Sequence, residues 1–169
     1  MKKVLVIGSG GSGKTTLSLA LSRIIGIPVI HLDLNFWKPG WVETPRDLWR
    51  SRVIELCRED SWIMDGNYAG TLDIRLKYAE TVIFLDYGRV KSSLGVLKRV
   101  IRHHGQVRVD MPPGCPERFS AEFMKWVWDF NSNSRPEIDN ALQNAPDSVT
   151  VYTLKNRRAL RRFLSRIQH

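Results

Sequence analysis

Short runs of consecutive apolar residues alternate along the chain with longer segments in which apolar residues recur every three or four positions. Runs of the first kind are typical of strands buried on both faces of a sheet, and the longer segments are typical of amphipathic helices. The pattern predicts strands at residues 3–7, 28–32, 62–64, 81–85 and 148–153. It predicts helices at residues 14–25, 45–59, 71–79, 90–103, 120–130, 135–144 and 156–167.

Strands that are apolar throughout and separated by helices indicate a parallel sheet covered by helices on both faces. The 169 residues suffice for one domain with a buried core, and the sequence shows no repeat or linker. We therefore predict a single three-layer α/β domain over residues 1–169. Residues 105–116 contain two glycines and three prolines and are predicted to be a loop. This loop is also the predicted mobile insert of the chain.

The segment between the first predicted strand and helix reads Gly-Ser-Gly-Gly-Ser-Gly-Lys-Thr at residues 8–15 and fits the P-loop pattern GxxxxGK[ST]. Its glycines let successive amides point at phosphate oxygens, and the following helix N-terminus favours an anion. The segment also fits GxGxxG, but a dinucleotide site has no use for the Lys-Thr that follows.

We predict that this P-loop binds ATP with magnesium. In such loops the lysine bridges the β- and γ-phosphates and the hydroxyl of the last residue ligates Mg²⁺. Lys14 is therefore also a predicted catalytic residue, Thr15 a predicted metal ligand, and Arg157, after the last strand, is predicted to border the base. The predicted nucleotide-binding residues are Gly8, Ser9, Gly10, Gly11, Ser12, Gly13, Lys14, Thr15, Thr16 and Arg157.

Three aspartates, Asp33, Asp65 and Asp86, each follow a predicted strand. The carboxyl ends of parallel strands meet at the sheet edge where the P-loop lies, so each is a candidate for holding magnesium or its waters. By hydrophobic pattern Asp86 is the best match, whereas the glycine after Asp65 leaves room for a phosphate. The residues alone leave this choice open.

Taken in order over residues 1–135, these motifs resemble the adenylate-kinase-like P-loop kinases. They are most similar to the bacterial proteins described as DNA topology modulation, or FlaR-related, proteins. The segments that carry this closer resemblance are HLD at 31–33, WKPGW at 37–41, WIMDGNY at 62–68, RVIR at 99–102, GCPERF at 114–119 and KWVW at 125–128. Those that contain tryptophan are the most specific of them.

The resemblance implies a P-loop kinase, a phosphotransferase that moves the γ-phosphoryl group of ATP to a small acceptor. It also implies a five-stranded parallel sheet in the order 2-3-1-4-5, with Asp65 as a catalytic residue and metal ligand beside magnesium. The mobile insert, at about residues 104–118, would be a lid that closes over ATP, and we call it the lid segment. One departure concerns the acceptor: nucleotide kinases continue after Asp-Gly with Phe-Pro-Arg, whereas this chain has Asn-Tyr-Ala at 67–69. This departure counts against a nucleoside monophosphate.

Arginines and a second carboxylate complete the predicted catalytic set. Arg99 and Arg102 precede the lid segment and are predicted to neutralise charge on the ATP phosphates. Asp33 resembles the second-strand aspartate of shikimate-kinase-like enzymes, which favours a hydroxyl acceptor activated by a general base. Arg46 and Arg75 are open alternatives, either as ligands of an anionic acceptor or as surface residues. The acceptor is thus predicted to be a hydroxyl compound or a nucleotide.

The net charge of +9 favours anionic partners. Six basic residues and no acid lie in each of two segments, 87–109 and 155–169. This leaves an alternative function open, that of a nucleic-acid-associated ATP-binding protein modulating DNA topology, although no helix-turn-helix, zinc-finger or RNP motif supports it. The guanine-reading NKxD motif of GTPases is absent, which counts against a GTPase.

Two cysteines without a CxxC pair, and no apolar run of membrane-spanning length, predict a cytoplasmic protein without a membrane partner.

Overall fold

A computed structural model describes residues 1–167, which form a central sheet, a small hairpin and surrounding helices. The sheet strands are β1 (Lys3–Gly8), β2 (Val29–His31), β5 (Trp62–Asp65), β6 (Thr81–Leu85) and β7 (Thr150–Leu154), and the hairpin strands are β3 (Trp37–Lys38) and β4 (Val42–Glu43). The helices are α1 (Lys14–Ile25), α2 (Leu32–Phe36), α3 (Arg46–Arg58), α4 (Leu72–Leu76), α5 (Arg89–His103), α6 (Ala121–Trp128), α7 (Phe130–Asn133), α8 (Arg135–Gln143) and α9 (Arg157–Ile167). A 3₁₀ turn at Ala69–Thr71 precedes α4.

The sheet has the order β2-β5-β1-β6-β7, and all its strand pairs are parallel. If only the five strands of this sheet are numbered along the chain, leaving out the hairpin strands β3 and β4, the order is 2-3-1-4-5, as predicted. The predicted α/β class is therefore confirmed, and the hairpin is an addition to it. Within residues 1–167 we find no helix with the length and apolar character needed to cross a membrane.

The core lies on both faces of the sheet. In β1, Leu5 and Ile7 pack into one apolar cluster, whereas Val4 and Val6 pack into the other. Since each fully buried aliphatic side chain stabilises the fold by roughly 1.5–3 kcal/mol, a strand buried on both faces is apolar at every position. This accounts for the uninterrupted apolar runs of the sequence.

The structure differs from the sequence prediction mainly in residues 32–43. We expected the second strand to extend to residue 32 and an aromatic-rich loop to follow, but the strand ends at His31 and helix α2 begins at once. Packing of the Phe36 ring against Trp49 and Tyr68, at centroid distances of 5.2 and 4.8 Å, accounts for this difference, because both partners are distant in sequence. Similarly, the predicted helix at 120–130 is broken at Asp129 into α6 and α7.

Helix α5 rests directly on the P-loop at two glycines. A Cβ added to Gly95 of α5 would overlap the carbonyl oxygen of Gly11, and a Cβ added to Gly11 would overlap the carbonyl oxygen of Ser92. Gly11 also has a φ of +74°, which disfavours any other residue. The backbones of loop and helix are thus in contact, and this contact fixes where α5 presents its side chains.

We expect Gly95→Ala to lower the free energy of unfolding by about 1–3 kcal/mol, the usual effect of overpacking. This effect opposes the gain of about 1 kcal/mol that alanine normally brings over glycine inside a helix. Urea unfolding measures the difference. The control is Gly70→Ala, since an added Cβ at Gly70 meets nothing within 4 Å. A Gly95→Ala protein as stable as the wild type would contradict the close contact.

Candidate active site

The P-loop forms an open cradle between β1 and α1. Gly8, Gly11 and Gly13 have φ angles of +146°, +74° and +91°, which turn the backbone around a concave centre. The amide of Ser12 donates to the carbonyl of Ser9, but the amides of Gly11 and Gly13 donate to no backbone acceptor among residues 1–167. A Cβ on Gly13 would meet no atom within 4 Å, so the loop is open there. Free amides at a helix N-terminus fit a phosphate chain.

Lys14 reaches back over this loop, and its Nζ donates a hydrogen bond to the carbonyl of Ser9 at 2.8 Å. Burial lowers the pKa of Lys14, and neighbouring carboxylates oppose this effect. The carboxylates that act on it belong to Asp33, Asp65 and Asp110. The lysine is therefore the positive centre of an acidic site.

Asp65 ends β5 beside β1, where it is in register with Val6. Its Oδ1 accepts a hydrogen bond from Nδ1 of His31 at 2.9 Å, whereas its Oδ2 is buried without any partner among the described residues. Burial lowers the pKa of His31, but the hydrogen bond and charge of Asp65 outweigh it, so this pKa is raised. Sequence reasoning did not assign a role to His31, although the parallel register of β2 with β5 pairs these two residues.

Asp33 lies in the first turn of α2 and lines the same cleft as Lys14. Tyr68 Oη donates a hydrogen bond to Asp33 Oδ1 at 2.5 Å. Burial raises the pKa of Asp33, and the opposing effects of the Tyr68 hydrogen bond and the Lys14 charge do not cancel it. The structure thus places a half-buried carboxylate with a raised pKa beside the P-loop cradle.

Asp86 has a different environment from Asp65. Nη1 of Arg135 contacts Asp86 Oδ1 at 2.8 Å, and the aspartate side chain is 8% exposed. Its carboxylate is therefore already engaged in an ion pair, whereas Asp65 keeps a free oxygen. This geometry favours Asp65 over Asp86 as the metal-binding acid.

Of the predicted arginines, the structure brings only Arg99 into the cleft. Arg102 is exposed in the last turn of α5, and Arg157 is exposed at the start of α9; neither lines the cleft. Arg75 is fully buried, and its guanidinium donates to the carbonyls of the loop after β5, those of Gly66, Asn67 and Tyr68. Arg75 therefore shapes this loop and is not available to an acceptor.

The lid segment contributes charged residues that sequence reasoning assigned no definite role. Arg108 forms ion pairs with Asp110 at 3.2 Å and with Glu117 at 2.8 Å, and Arg99 pairs with the same Glu117 oxygen at 2.9 Å. Asp110 also accepts a hydrogen bond from Thr15 Oγ1 at 2.8 Å. Asp110 and Glu117 are buried, so the lid segment lies against the P-loop through a charged network.

The cleft has a volume of about 710 Å³ and two kinds of wall. Lys14, Arg99, Arg108 and Glu117 line the end of the cleft at the P-loop. Aromatic rings from α2, from the hairpin, from the loop after β5 and from α6 line the remainder: Phe36, Trp37, Trp41, Tyr68, Phe123 and Trp126. The arrangement suits an anionic chain at one end and a flat or apolar group at the other.

Solved structures of small-molecule kinases share this architecture. Shikimate kinase from Acinetobacter baumannii, in complex with shikimate, matches with a TM-score of 0.62 and 17% identity over 99% of this chain and 90% of that one. The fold is that of the P-loop kinases. Deoxyadenosine kinase from M. mycoides with bound dATP matches with a TM-score of 0.54 and 15% identity over 100% of both chains.

No family model and no curated protein matches the chain. The closer resemblance to topology modulation proteins therefore stays a prediction. The P-loop kinase fold accounts for the meeting of the P-loop, Asp33 and Asp65 at one edge of the sheet, since β1, β2 and β5 are neighbours there.

The His31–Asp65 pair predicts how stability depends on pH. The folded pKa of His31 is raised, so its stabilisation is fully present below the unfolded value of about 6.5 and is lost as the pH rises through the folded pKa. We expect His31→Gln to lower the free energy of unfolding by about 1–3 kcal/mol more at about pH 5.5 than at about pH 9. Chemical unfolding at both pH values measures this. The exposed His104 provides the control His104→Gln, and an equal loss at both pH values would contradict the pair.

Proposed function

We propose that this chain is an ATP- and magnesium-dependent phosphotransferase that moves the γ-phosphoryl group to a hydroxyl of a small, uncharged molecule. The observation that carries the proposal is that an open P-loop cradle and the half-buried carboxylate of Asp33 share one cleft. The structures that share the fold belong to kinases named for shikimate and deoxyadenosine, both small molecules. Phosphoryl transfer needs mainly positioning and charge neutralisation, which this cleft offers.

The residues present fit the nucleotide and its metal. The free amides of the cradle and Lys14 would hold the phosphates, with the exposed Thr16 and Arg157 as further nucleotide contacts. Thr15 Oγ1 and the unpartnered Oδ2 of Asp65 are oxygen ligands of the kind that Mg²⁺ prefers. Bound magnesium would neutralise charge on the phosphates.

The charges at the acceptor end favour an uncharged substrate. Among the described residues that line it, Asp33, Glu43 and Glu122 are acidic. Arg118 also lines it and has its guanidinium over the Trp41 ring at 5.6 Å. Of the two other arginine candidates for an anion, Arg75 is turned into the protein, and the exposed Arg46 does not line the cleft. An anionic acceptor would thus meet three carboxylates and one stacked guanidinium, whereas the aromatic walls suit a ring or another flat face.

Asp33 is the proposed general base. Tyr68 holds one carboxylate oxygen, and the other has no hydrogen-bond partner among residues 1–167. Its raised pKa makes the carboxylate a stronger base than an exposed aspartate. Arg99 lies in the cleft to neutralise phosphate charge, and we propose Arg108 as its partner in place of the exposed Arg102.

The alternative of a nucleic-acid-associated ATP-binding protein has one supporting observation. Helix α9 buries Phe163 and exposes a row of arginines, Arg157, Arg158, Arg161, Arg162 and Arg166. A DNA affinity that falls steeply with salt, together with weak ATP turnover, would favour this function over the kinase.

Lys14→Ala is expected to weaken Mg·ATP binding at least about tenfold, because the variant removes the cation that faces the phosphates. Isothermal titration calorimetry measures the dissociation constant. Lys125→Ala is the matched control, since Lys125 is exposed on α6 outside the cleft. Wild-type protein that is folded yet binds no Mg·ATP at millimolar concentration would refute the proposed function.

Asp33→Asn is expected to lower turnover by about 10²–10⁴-fold, the usual contribution of a general base, while Mg·ATP affinity stays within about twofold. The assay couples ADP release to a panel of neutral alcohols, including nucleosides, each matched with its phosphorylated form. Asp139→Asn, on α8, is the control. A loss of less than about tenfold would exclude general-base action, and a preference for the phosphorylated forms would exclude the uncharged acceptor.

A further inference from the structure

The lid segment places a carboxylate on the P-loop residue that is the proposed magnesium ligand. Asp110 is 5% exposed and accepts the hydrogen bond of the Thr15 hydroxyl at 2.8 Å. The two residues lie 95 positions apart in sequence. Asp110 therefore places an acidic side chain, in addition to that of Asp65, where the P-loop cradle would hold magnesium.

An independent observation concerns Asp65 at the end of β5. Its side chain is 6% exposed, and Oδ2 is buried with no hydrogen-bond partner among the described residues. An unpartnered carboxylate oxygen at this depth is costly unless a cation or a donor satisfies it. Asp65 and Asp110 both act electrostatically on Lys14, so both lie close to the same phosphate-binding centre.

The cation that would satisfy them comes with the nucleotide. Within residues 1–167 no three acidic, histidine or cysteine side chains are grouped closely enough to hold a metal ion by themselves. Mg²⁺ is usually bound through one or two carboxylates together with phosphate oxygens, so an incomplete protein shell is the normal arrangement for Mg·ATP.

Other contacts hold the lid segment in this position. Gly40 of the hairpin donates its amide to the carbonyl of Gly114 at 2.9 Å, and Cys115 Sγ donates to the carbonyl of Lys38 at 3.2 Å. A Cβ on Gly114 would lie 2.9 Å from Cβ of Pro39, so the two segments pack closely. These contacts keep Asp110 at the cradle, where a triphosphate without a cation would repel it.

On the basis of the proposed function, we propose that Asp110 belongs to the magnesium shell of bound Mg·ATP, directly or through one water, together with Thr15 and Asp65. The lid segment thereby completes the metal site as well as covering the nucleotide. The opposite reading, in which Asp110 blocks the cradle and must leave before ATP binds, predicts a different response to the metal.

Calorimetric titrations of the protein with ATP, one in the presence of Mg²⁺ and one in the presence of EDTA, distinguish these two possibilities. We expect Asp110→Asn to reduce the Mg²⁺-dependent gain in ATP affinity at least about tenfold, as for other changes around a metal. ATP without metal is expected to bind the variant at least as tightly as the wild type, because a negative charge is gone. Glu117→Gln is the matched control: it disturbs the ion pairs of the lid segment with Arg99 and Arg108 but does not touch Thr15.

Each other outcome overturns the inference. If Asp110→Asn binds ATP more tightly by the same factor with and without Mg²⁺, the carboxylate blocks the cradle. If the Mg²⁺-dependent gain in ATP affinity is unchanged in this variant, Asp110 has no role in the magnesium shell. The same loss of metal dependence in Glu117→Gln would assign the effect to lid packing. If Asp110→Asn does not fold, Asp110→Glu replaces it in the experiment. The Mg²⁺-dependent gain in ATP affinity must then be smaller in Asp110→Glu than in the wild type, while its affinity for metal-free ATP stays the same. Wild type that binds no ATP would instead refute the proposed function.

Discussion

Charge compensation around the Lys14 ammonium is the interaction on which the cleft depends. Three carboxylates from separate elements, Asp33, Asp65 and Asp110, act on this one half-buried cation. Unit charges about 4 Å apart interact by about 4 kcal/mol at an effective dielectric constant of about 20, so such a cluster persists only if opposite charges are interleaved. Arg108, which pairs with Asp110, supplies a second cation from the lid segment.

The elements that sequence reasoning placed best are those with local signals. Helix α1 (Lys14–Ile25) and strand β6 (Thr81–Leu85) have the predicted bounds. In α1, Gly26 ends the helix in a left-handed conformation at φ +71° and donates its amide to the carbonyl of Ser22, as a glycine beyond a helix end commonly does. Helix α2 was missed, because the aromatic contacts of its Phe36 join residues far apart in sequence. The hairpin was missed because each of its strands has only two residues, too few to show a pattern.

The same distinction holds for the candidate site. The P-loop is one contiguous motif and could be read directly, and the strand-end aspartates followed from the parallel sheet. The bond between Thr15 and Asp110 joins two segments with no shared local pattern, so no periodicity or motif indicated it. Charge density alone does not distinguish the arginines near α5, of which Arg99 lines the cleft. Arg102 lies seven residues, about 10 Å along the helix, beyond the contact of Gly95 with the P-loop and remains exposed.

The lid segment contacts both ends of the cleft, so its contacts at one end affect its position at the other. It contacts the P-loop through Asp110, helix α5 through Glu117, and the hairpin through Gly114. Each neutral hydrogen bond of this kind contributes about 1 kcal/mol, and an ion pair to a buried carboxylate contributes more, so neither end alone holds the segment firmly. Because ordering each residue costs roughly 1–2 kcal/mol of backbone entropy, the segment needs contacts at both ends to stay closed. A change in the hairpin that breaks the Gly40–Gly114 bond therefore also weakens the placement of Asp110 at Thr15.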